Sequence, residues 1–338
     1  MKYLIFSCLI FLSSFCVSVK RSSASFKEFY FNGVAQGTTY HITYFSADEY
    51  VTHNQIDSCF ESIDSSLSVY KPYSLISKFN SAPHEVQMDF HLGVVVRKSL
   101  EIYRETGGIS DITVYPLVRA WGFGTERPDK LPDSATIKNL LSCVGSEKIF
   151  IQNNHLVKTK PCIKIDVNGI AQGYTVDILA DFLEKHHVQN YLVEVGGEIR
   201  VKGRKQPGNS LFQIGIESPN DDNVGSPVMK RIVRISQGAI TTSGNYRKFF
   251  EKDGKIISHL MNPKTGYTIQ NELISVTVLA RDAITADGYD NAFMGMGLKK
   301  SFLFLQHHKE LEAYFIYRQP NGTVADTASR GFRRKFKM

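Results

Sequence analysis

Asp287 and Asn291 stand four residues apart, with Asp290 between them, in a stretch whose pattern predicts a helix from about Ala283 to Met296. Side chains at i and i+4 leave one helical face, so a carboxylate and an amide oxygen can converge on one cation there. Asp290, at i+3, can replace or assist Asn291. So sparse an oxygen set suits magnesium, which keeps several waters and draws other ligands from substrate phosphates. The plain structural role of such acids is to complement a helix dipole. A second stretch, Asp166-Val-Asn-Gly-Ile-Ala-Gln-Gly173, has glycines that let backbone approach a phosphate, ahead of a helix start with unpaired N–H groups. It has neither a Walker lysine nor GxGxxG spacing. Two polar loops, 241–246 and 258–266, gather hydroxyls, Lys264 and His259, an imidazole suited to be a base or a ligand. No cysteine sits beside a histidine or in a CxxC pair, which argues against thiol chemistry.

The elements that must position these groups are legible from periodicity. Residues 33–44 turn from a Gly-containing segment into a strand pattern. Ile56, Phe60, Ile63 and Leu67 share one helical face, and residues 68–80 read as loop. Asp89 caps a helix carrying Val95, Val96, Leu100 and Tyr103, which Gly107-Gly108 stops; another helix runs from near Asp133 to before Gly145. Residues 164–167 predict a short strand, Asn168-Gly169 a turn, and 174–186 a helix with Tyr174, Ile178, Phe182 and Leu183 on its apolar side. Strands are expected at 191–195, 198–201, 212–217, 231–235 and 275–279. Strands and helices interleave without regular βαβ units, so the fold class is α+β: mixed, largely antiparallel sheets with packed helices.

The 338 residues carry a net charge of +7. Lys2, Lys20 and Arg21 at one end, with Arg330, Arg333, Arg334, Lys335 and Lys337 at the other, supply all of that excess. The body is not basic, and no nucleic acid is expected as a partner. The apolar run after Lys2 has the layout of a secretory signal and is short for a membrane span. The expected organisation is a signal peptide over 1–24, one domain over 25–328 and a basic, solvated tail over 329–338. Export to the periplasm with cleavage is expected. A retained anchor at the outer face of the inner membrane is the alternative, and Cys16 raises lipidation, although Phe15 occupies the position where lipoproteins place a small residue. Three cysteines remain in the body, Cys59, Cys143 and Cys162. Three buried thiols are the expectation, with a Cys143–Cys162 disulfide as the alternative.

An ordered series of motifs resembles the FAD:protein FMN transferase (ApbE) family from about Gly33 to Tyr317. It comprises Ala35-Gln-Gly-Thr38, Ser68-Val-Tyr70 with Ser74 and Phe79-Asn80, and Asp111-Ile-Thr113 followed by Pro116-Leu117 and Trp121-Gly-Phe123. Residues 166–174 come next, then Val195-Gly-Gly-Glu198, Thr242-Ser-Gly244 with Tyr246-Arg247, His259, Asn262-Pro263, Thr265-Gly266 and Ala286-Asp287. Gln36, Ile112, Gln172, Asn262 and Asn291 depart from the usual pattern, which has Met, Pro, Lys or Glu, Asp and Thr at these places.

The resemblance implies an ApbE-like fold and FAD contacts at Gln36, Tyr70, Ile109, Ser110, Asp111, Asp166, Gln172 and the backbone around Leu260. It places Mg2+ on Asp287, Asn291 and the Gly169 carbonyl. The implied reaction is attack of a Ser or Thr hydroxyl of an acceptor protein on the FMN-side phosphorus, with AMP leaving. His259 or a carboxylate such as Asp287 takes the proton, and the acceptor is a flavoprotein subunit of a membrane redox complex. An FAD pyrophosphatase and a non-catalytic FAD-binding protein are the alternatives on the same site.

Overall fold

The computed structural model describes residues 26–124, 130–218, 228–245, 249–252 and 255–337. The leader, Cys16 and the Tyr246-Arg247 pair lie outside the described residues. β1 (Lys27–Ala35) and β2 (Thr38–Ser46) form a hairpin whose two turn residues, Gln36 and Gly37, both have positive φ, 53° and 75°. Such a turn matches the twist of the flanking strands. α1 (His53–Leu67), α2 (Leu75–Ser81), β3 (Glu85–Gln87), α3 (Phe90–Glu105), α4 (Tyr115–Ala120) and α5 (Ser134–Leu141) follow. β4 (Ile149–Gln152) and β5 (His155–Lys158) join β3 in a small sheet before the long α6 (Asn168–Lys185). Next come β6 (Tyr191–Val195), β7 (Glu198–Lys202), β8 (Phe212–Ser218), β9 (Val228–Ile235) and β10 (Gln237–Gly244). β11 (Phe249–Lys252), β12 (Lys255–Ser258), β13 (Leu273–Ala280), α7 (Ala283–Met296), α8 (Leu298–His307), β14 (Glu312–Arg318), β15 (Val324–Ala328) and α9 (Arg330–Phe336) complete the chain.

The main sheet runs β1-β2-β6-β7-β10-β13-β14-β15 with antiparallel neighbours throughout. Alternation divides its side chains between two cores. Ala313 and Phe315 of β14 join Val276 and Val278 of β13 under α1, α3, α6 and α7, whereas Tyr314, Ile316 and Ile274 face the β8–β9 ribbon and α9. The α+β expectation holds, with the predicted faces of α1 and α3 turned to the helix-side core.

Four local expectations change. Residues 68–80 are not all loop, because Ser74 caps α2 by accepting from Ser77 N at 3.1 Å while Ile76 and Phe79 are buried. Residues 164–167 are extended but pair with no strand. The side chain of Asn80 takes the place of one, donating to Ile165 O at 2.9 Å and accepting from Ile165 N at 2.7 Å. Asn168-Gly169 opens α6 instead of forming a separate turn, since Asp166 Oδ1 accepts from Asn168 N at 2.8 Å. Cys143 and Cys162 form a disulfide, with Cα atoms 5.6 Å apart, and only Cys59 among the described cysteines is free.

A fifth correction concerns the basic segment at the end, which is not a solvated tail. It folds as α9, with Phe332 fully buried in the second core and Phe336 packed beside it. Counting charges hid the i, i+4 aromatic stripe that runs between them. Glu312 Oε2 accepts from Phe332 N at 2.9 Å and ties the helix to β14. Phe332→Ala is expected to cost about 3–5 kcal/mol in denaturant unfolding, and Arg330→Ala under about 0.5. A Phe332→Ala protein of parental stability would return the segment to a solvated tail.

Candidate functional site

The crossing of α6 and α7 sets the geometry of the site. A Cβ on Gly173 would lie 2.3 Å from Ala283 O and 2.6 Å from Asp287 Cβ, so only glycine allows this approach. Asp287 Oδ2 consequently accepts from Gly173 N at 2.8 Å. One turn earlier on α6, the Gly169 carbonyl accepts from Asn291 Nδ2 at 3.2 Å. That nitrogen also lies 3.3 Å from Asp287 Oδ1, 3.1 Å from Asp287 O and 3.1 Å from Asp290 Oδ1. Ser243 on β10 donates to Asn291 Oδ1 at 3.1 Å.

Several oxygens therefore converge on one point, and both carboxylates are almost fully buried. Burial pushes Asp287 up to about 7, with the charge of Asp177 adding to it. Burial, Asp287 and Glu198 hold Asp290 well above the ordinary carboxylate range. Acids crowded in this way lack positive charge, and a divalent cation would supply it. Among the described residues no group of three or more His, Cys, Asp or Glu forms a metal cage. The set is carbonyl, carboxylate and amide oxygen, which fits a hard cation that keeps waters and phosphate oxygens as its other ligands.

This corner opens into a cleft of about 240 Å³ walled by Tyr70, Ile109, Ser110, Asp111, Asp166, Gly169, His259, Leu260 and Asn291. Gln36, Gln172 and Asp287 do not line it. Gln36 sits at the β1–β2 turn, donating to Asp64 at 3.1 Å and accepting from Thr175 at 3.1 Å. Gln172 lies against Gly196, where a Cβ would come 2.6 Å from its Nε2. Neither glutamine belongs to the cleft wall.

Each wall residue is held by the scaffold. Tyr70 stands half-exposed in the α1–α2 connection, its hydroxyl raised above the ordinary value by burial and then by the negative charge of Asp166. Asp111 spends its carboxylate internally: Oδ1 accepts from Thr113 N, Thr113 Oγ1 and Ser146 Oγ at 2.8, 2.7 and 2.6 Å, and Oδ2 from Ser146 N at 3.2 Å. It shapes the wall more than it offers an acceptor to a ligand. His259 meets the Phe123 ring edge-on at 6.3 Å. The Leu260 carbonyl accepts from Ile269 N at 2.8 Å, and Asn262 Oδ1 accepts from Lys264 N at 2.9 Å, so Asn serves this turn as Asp would. Trp121 Nε1 donates to Gly266 O at 2.8 Å, fastening the loop to the helical side. Below the wall, the fully buried Lys158 donates to Phe79 O at 2.9 Å and Ile163 O at 3.0 Å, and burial, then Lys164, lowers it to about 8.

Sequence reasoning passed over Phe123, Met261, Ser99 and Asn168 as wall residues. Phe123 and Asn168 lay inside motifs already singled out, whereas Ser99, on the buried side of α3, carried no signal at all.

The ApbE family profile matches residues 36–315. The chain belongs to the ApbE family. The FAD:protein FMN transferase of Haemophilus influenzae is 36% identical over 313 residues, covering 88% of this chain and 89% of that protein. The Vibrio cholerae protein of the same name is 37% identical over 280 residues, covering 80% and 82%. Among solved structures, the flavin transferase ApbE from Vibrio cholerae superposes with a TM-score of 0.83 at 32% identity, covering 91% of this chain and 99% of that one. The apo flavinyl transferase ApbE of Pseudomonas stutzeri gives 0.83 at 30%, covering 93% and 98%.

Asp111→Asn places an amide where four donors converge. It is expected to lower unfolding stability by about 1–3 kcal/mol. A variant that keeps parental stability and loses only flavin affinity would make Asp111 a ligand-contacting residue instead.

Proposed function

We propose that this ApbE-family chain transfers the FMN half of FAD to a Ser or Thr hydroxyl of an acceptor flavoprotein and releases AMP. Family membership and the names of its relatives support the transfer. One observation carries the assignment of the site: Gly169 and Asn291 line the cleft and bond to each other, so the buried oxygens of the α6–α7 corner open where a pyrophosphate would lie.

In the reaction the acceptor oxygen bonds to the FMN-side phosphorus, the phosphoanhydride bond to AMP breaks, and the hydroxyl proton passes to a base. Asp287 is poorly placed for that proton, being buried with Oδ2 taken by Gly173 N–H. His259 lines the cleft and is the proton acceptor in this reading. A magnesium ion held by Asp287, Asn291 and the Gly169 carbonyl would neutralise charge on the pyrophosphate oxygens. Tyr70 offers an aromatic face at the cleft mouth for a ring to stack on, and Asp166 and Ser110 offer polar contacts along the wall.

The apolar run after Lys2 supports export, and the acceptor is then a subunit of a membrane redox complex that faces the same compartment. The mature N-terminus, read by mass spectrometry, is expected to lie beyond residue 20; a functional species that retains Met1 in the cytoplasm would refute export.

Asp287→Ala is expected to slow AMP release by roughly a hundredfold or more, with a much smaller loss of FAD affinity. The paired measurement is the FAD dissociation constant and the rate of AMP release, with and without Mg2+, in the presence of an acceptor weighed for added FMN. Transfer at the parental rate would remove Asp287 from the site. AMP release without an increase in acceptor mass would make the protein a pyrophosphatase.

A further inference from the structure

We infer that the Cys143–Cys162 disulfide positions the two walls of the cleft, so that the chain gains its full affinity for FAD only when these two thiols are oxidised. The inference rests on the reading of this cleft as the FAD site and adds a covalent element to it.

The bond joins two segments that lead into the cleft from opposite sides. Cys143 follows α5, whose Ile137 packs in a small cluster with Trp121, Ile257 and Met261, and Met261 itself lines the cleft. A Cβ on Gly266 would lie 2.4 Å from Ile137 Cγ2 and 3.4 Å from Leu141 Cγ, so α5 stands directly against the loop that carries His259. This cluster is small beside the two cores on either face of the main sheet, and a small core relies on added links to stay in place. Just after Cys143, Gly145 N donates to Thr113 Oγ1 at 2.6 Å, and Ser146 Oγ holds Asp111. Cys162 leads instead into the extended segment that ends at Asp166 on the other wall.

The β4–β5 hairpin lies between the two cysteines. Beyond Thr159 N, which donates to Lys148 O at 3.0 Å, its two arms are joined by the disulfide. Reduction would leave the hairpin and the large cores intact and free the arms to separate. The α5 cluster and the His259 loop would then drift from the Asp166 wall, and the flavin would lose contacts that need both at once. Cys162 is exposed and Cys143 half-buried, so the bond is open to exchange. It forms by reaction with a disulfide oxidant. One thiolate displaces a sulfur of the oxidant to give a mixed disulfide, and the second displaces the other; the oxidant leaves as two thiols, carrying two electrons and the two protons of the cysteines. A chain in a reducing compartment would hold FAD weakly, and one exported to an oxidising compartment would hold it tightly.

The test is a flavin fluorescence titration of the purified chain with FAD. The chain is compared oxidised, reduced with dithiothreitol and reoxidised with oxidised glutathione, beside the Cys143→Ala/Cys162→Ala double variant. All titrations are made well below the melting transition of the reduced chain, where far-UV circular dichroism is expected to be parental. Reduction is expected to raise the FAD dissociation constant roughly tenfold, as when about a tenth of the molecules hold the competent arrangement. Reoxidation restores it, and the double variant binds as weakly as the reduced chain without responding to reductant. A lower melting temperature with an unchanged dissociation constant would make the bond a stabiliser alone and overturn the inference. A double variant that still responds to reductant would overturn it too, by placing the effect on another thiol. Equal binding by oxidised and reduced chains leaves the cleft as the FAD site and removes only the role of the disulfide, whereas a chain that binds no FAD in either state removes both.

Discussion

Everything in the site depends on how closely α6 passes α7. Gly173 removes the one side chain that would hold the helices apart, and the space it leaves is filled by the backbone of Ala283 and the stem of Asp287. The approach does more than pack two helices. It lets a backbone N–H of α6 bond to the Asp287 carboxylate and brings the carbonyl of Gly169 within reach of Asn291. A larger residue at 173 would push these groups apart by at least a side-chain radius, and neither the carboxylate cluster nor its opening to the cleft would form. Gly288, where a Cβ would come 2.3 Å from Ile102 Cδ1, plays the same part on the other side of α7 against α3.

The cleft wall relies on polar groups that substitute for secondary structure. The extended segment before α6 has no neighbouring strand, yet its backbone groups are not left bare. Asn80 pairs with Ile165 through both its amide atoms, Lys158 takes the carbonyls of Phe79 and Ile163, and Asp166 N donates to Ile112 O at 2.7 Å. A buried ammonium costs desolvation, which its lowered proton affinity records. The two carbonyls and the Phe79 ring, 4.7 Å from the ammonium, offset part of that cost. Asp111 does the equivalent work on the opposite wall. Such groups hold this wall segment in the absence of a pairing strand.

Midway along α6, Asp177 accepts from the N–H groups of Ala283 and Ile284 at 2.9 and 2.8 Å and pairs with Arg200 at 2.8 Å. The start of α7 is thereby anchored to β7 and α6 together. The acid that faces the free helix start and the acids that face the cleft differ in one respect: Asp177 has a guanidinium beside it, while the charges acting on Asp290 are negative. This contrast separates a carboxylate with an opposite charge beside it from the crowded acids of the α6–α7 crossing.

Much of this was legible in the residues themselves. Hydrophobic spacing determined α1 and α3, Asp89 and Asp133 marked the starts of two helices, and alternation placed the central strands. The i, i+4 pair Asp287 and Asn291 and the glycine-bearing stretch 166–173 were visible as candidate chemistry, because residue type and local period require no knowledge of distant contacts. The sequence could not show that the two stretches meet, since they lie more than a hundred residues apart and are joined only by packing across a glycine. It could not show that Asp111 is consumed by four internal donors, that Gln36 and Gln172 stand off the cleft, or that the last basic residues enclose a buried phenylalanine. Those outcomes depend on which neighbours the tertiary fold brings to each polar group and on how much water it removes, and neither quantity is written in local spacing.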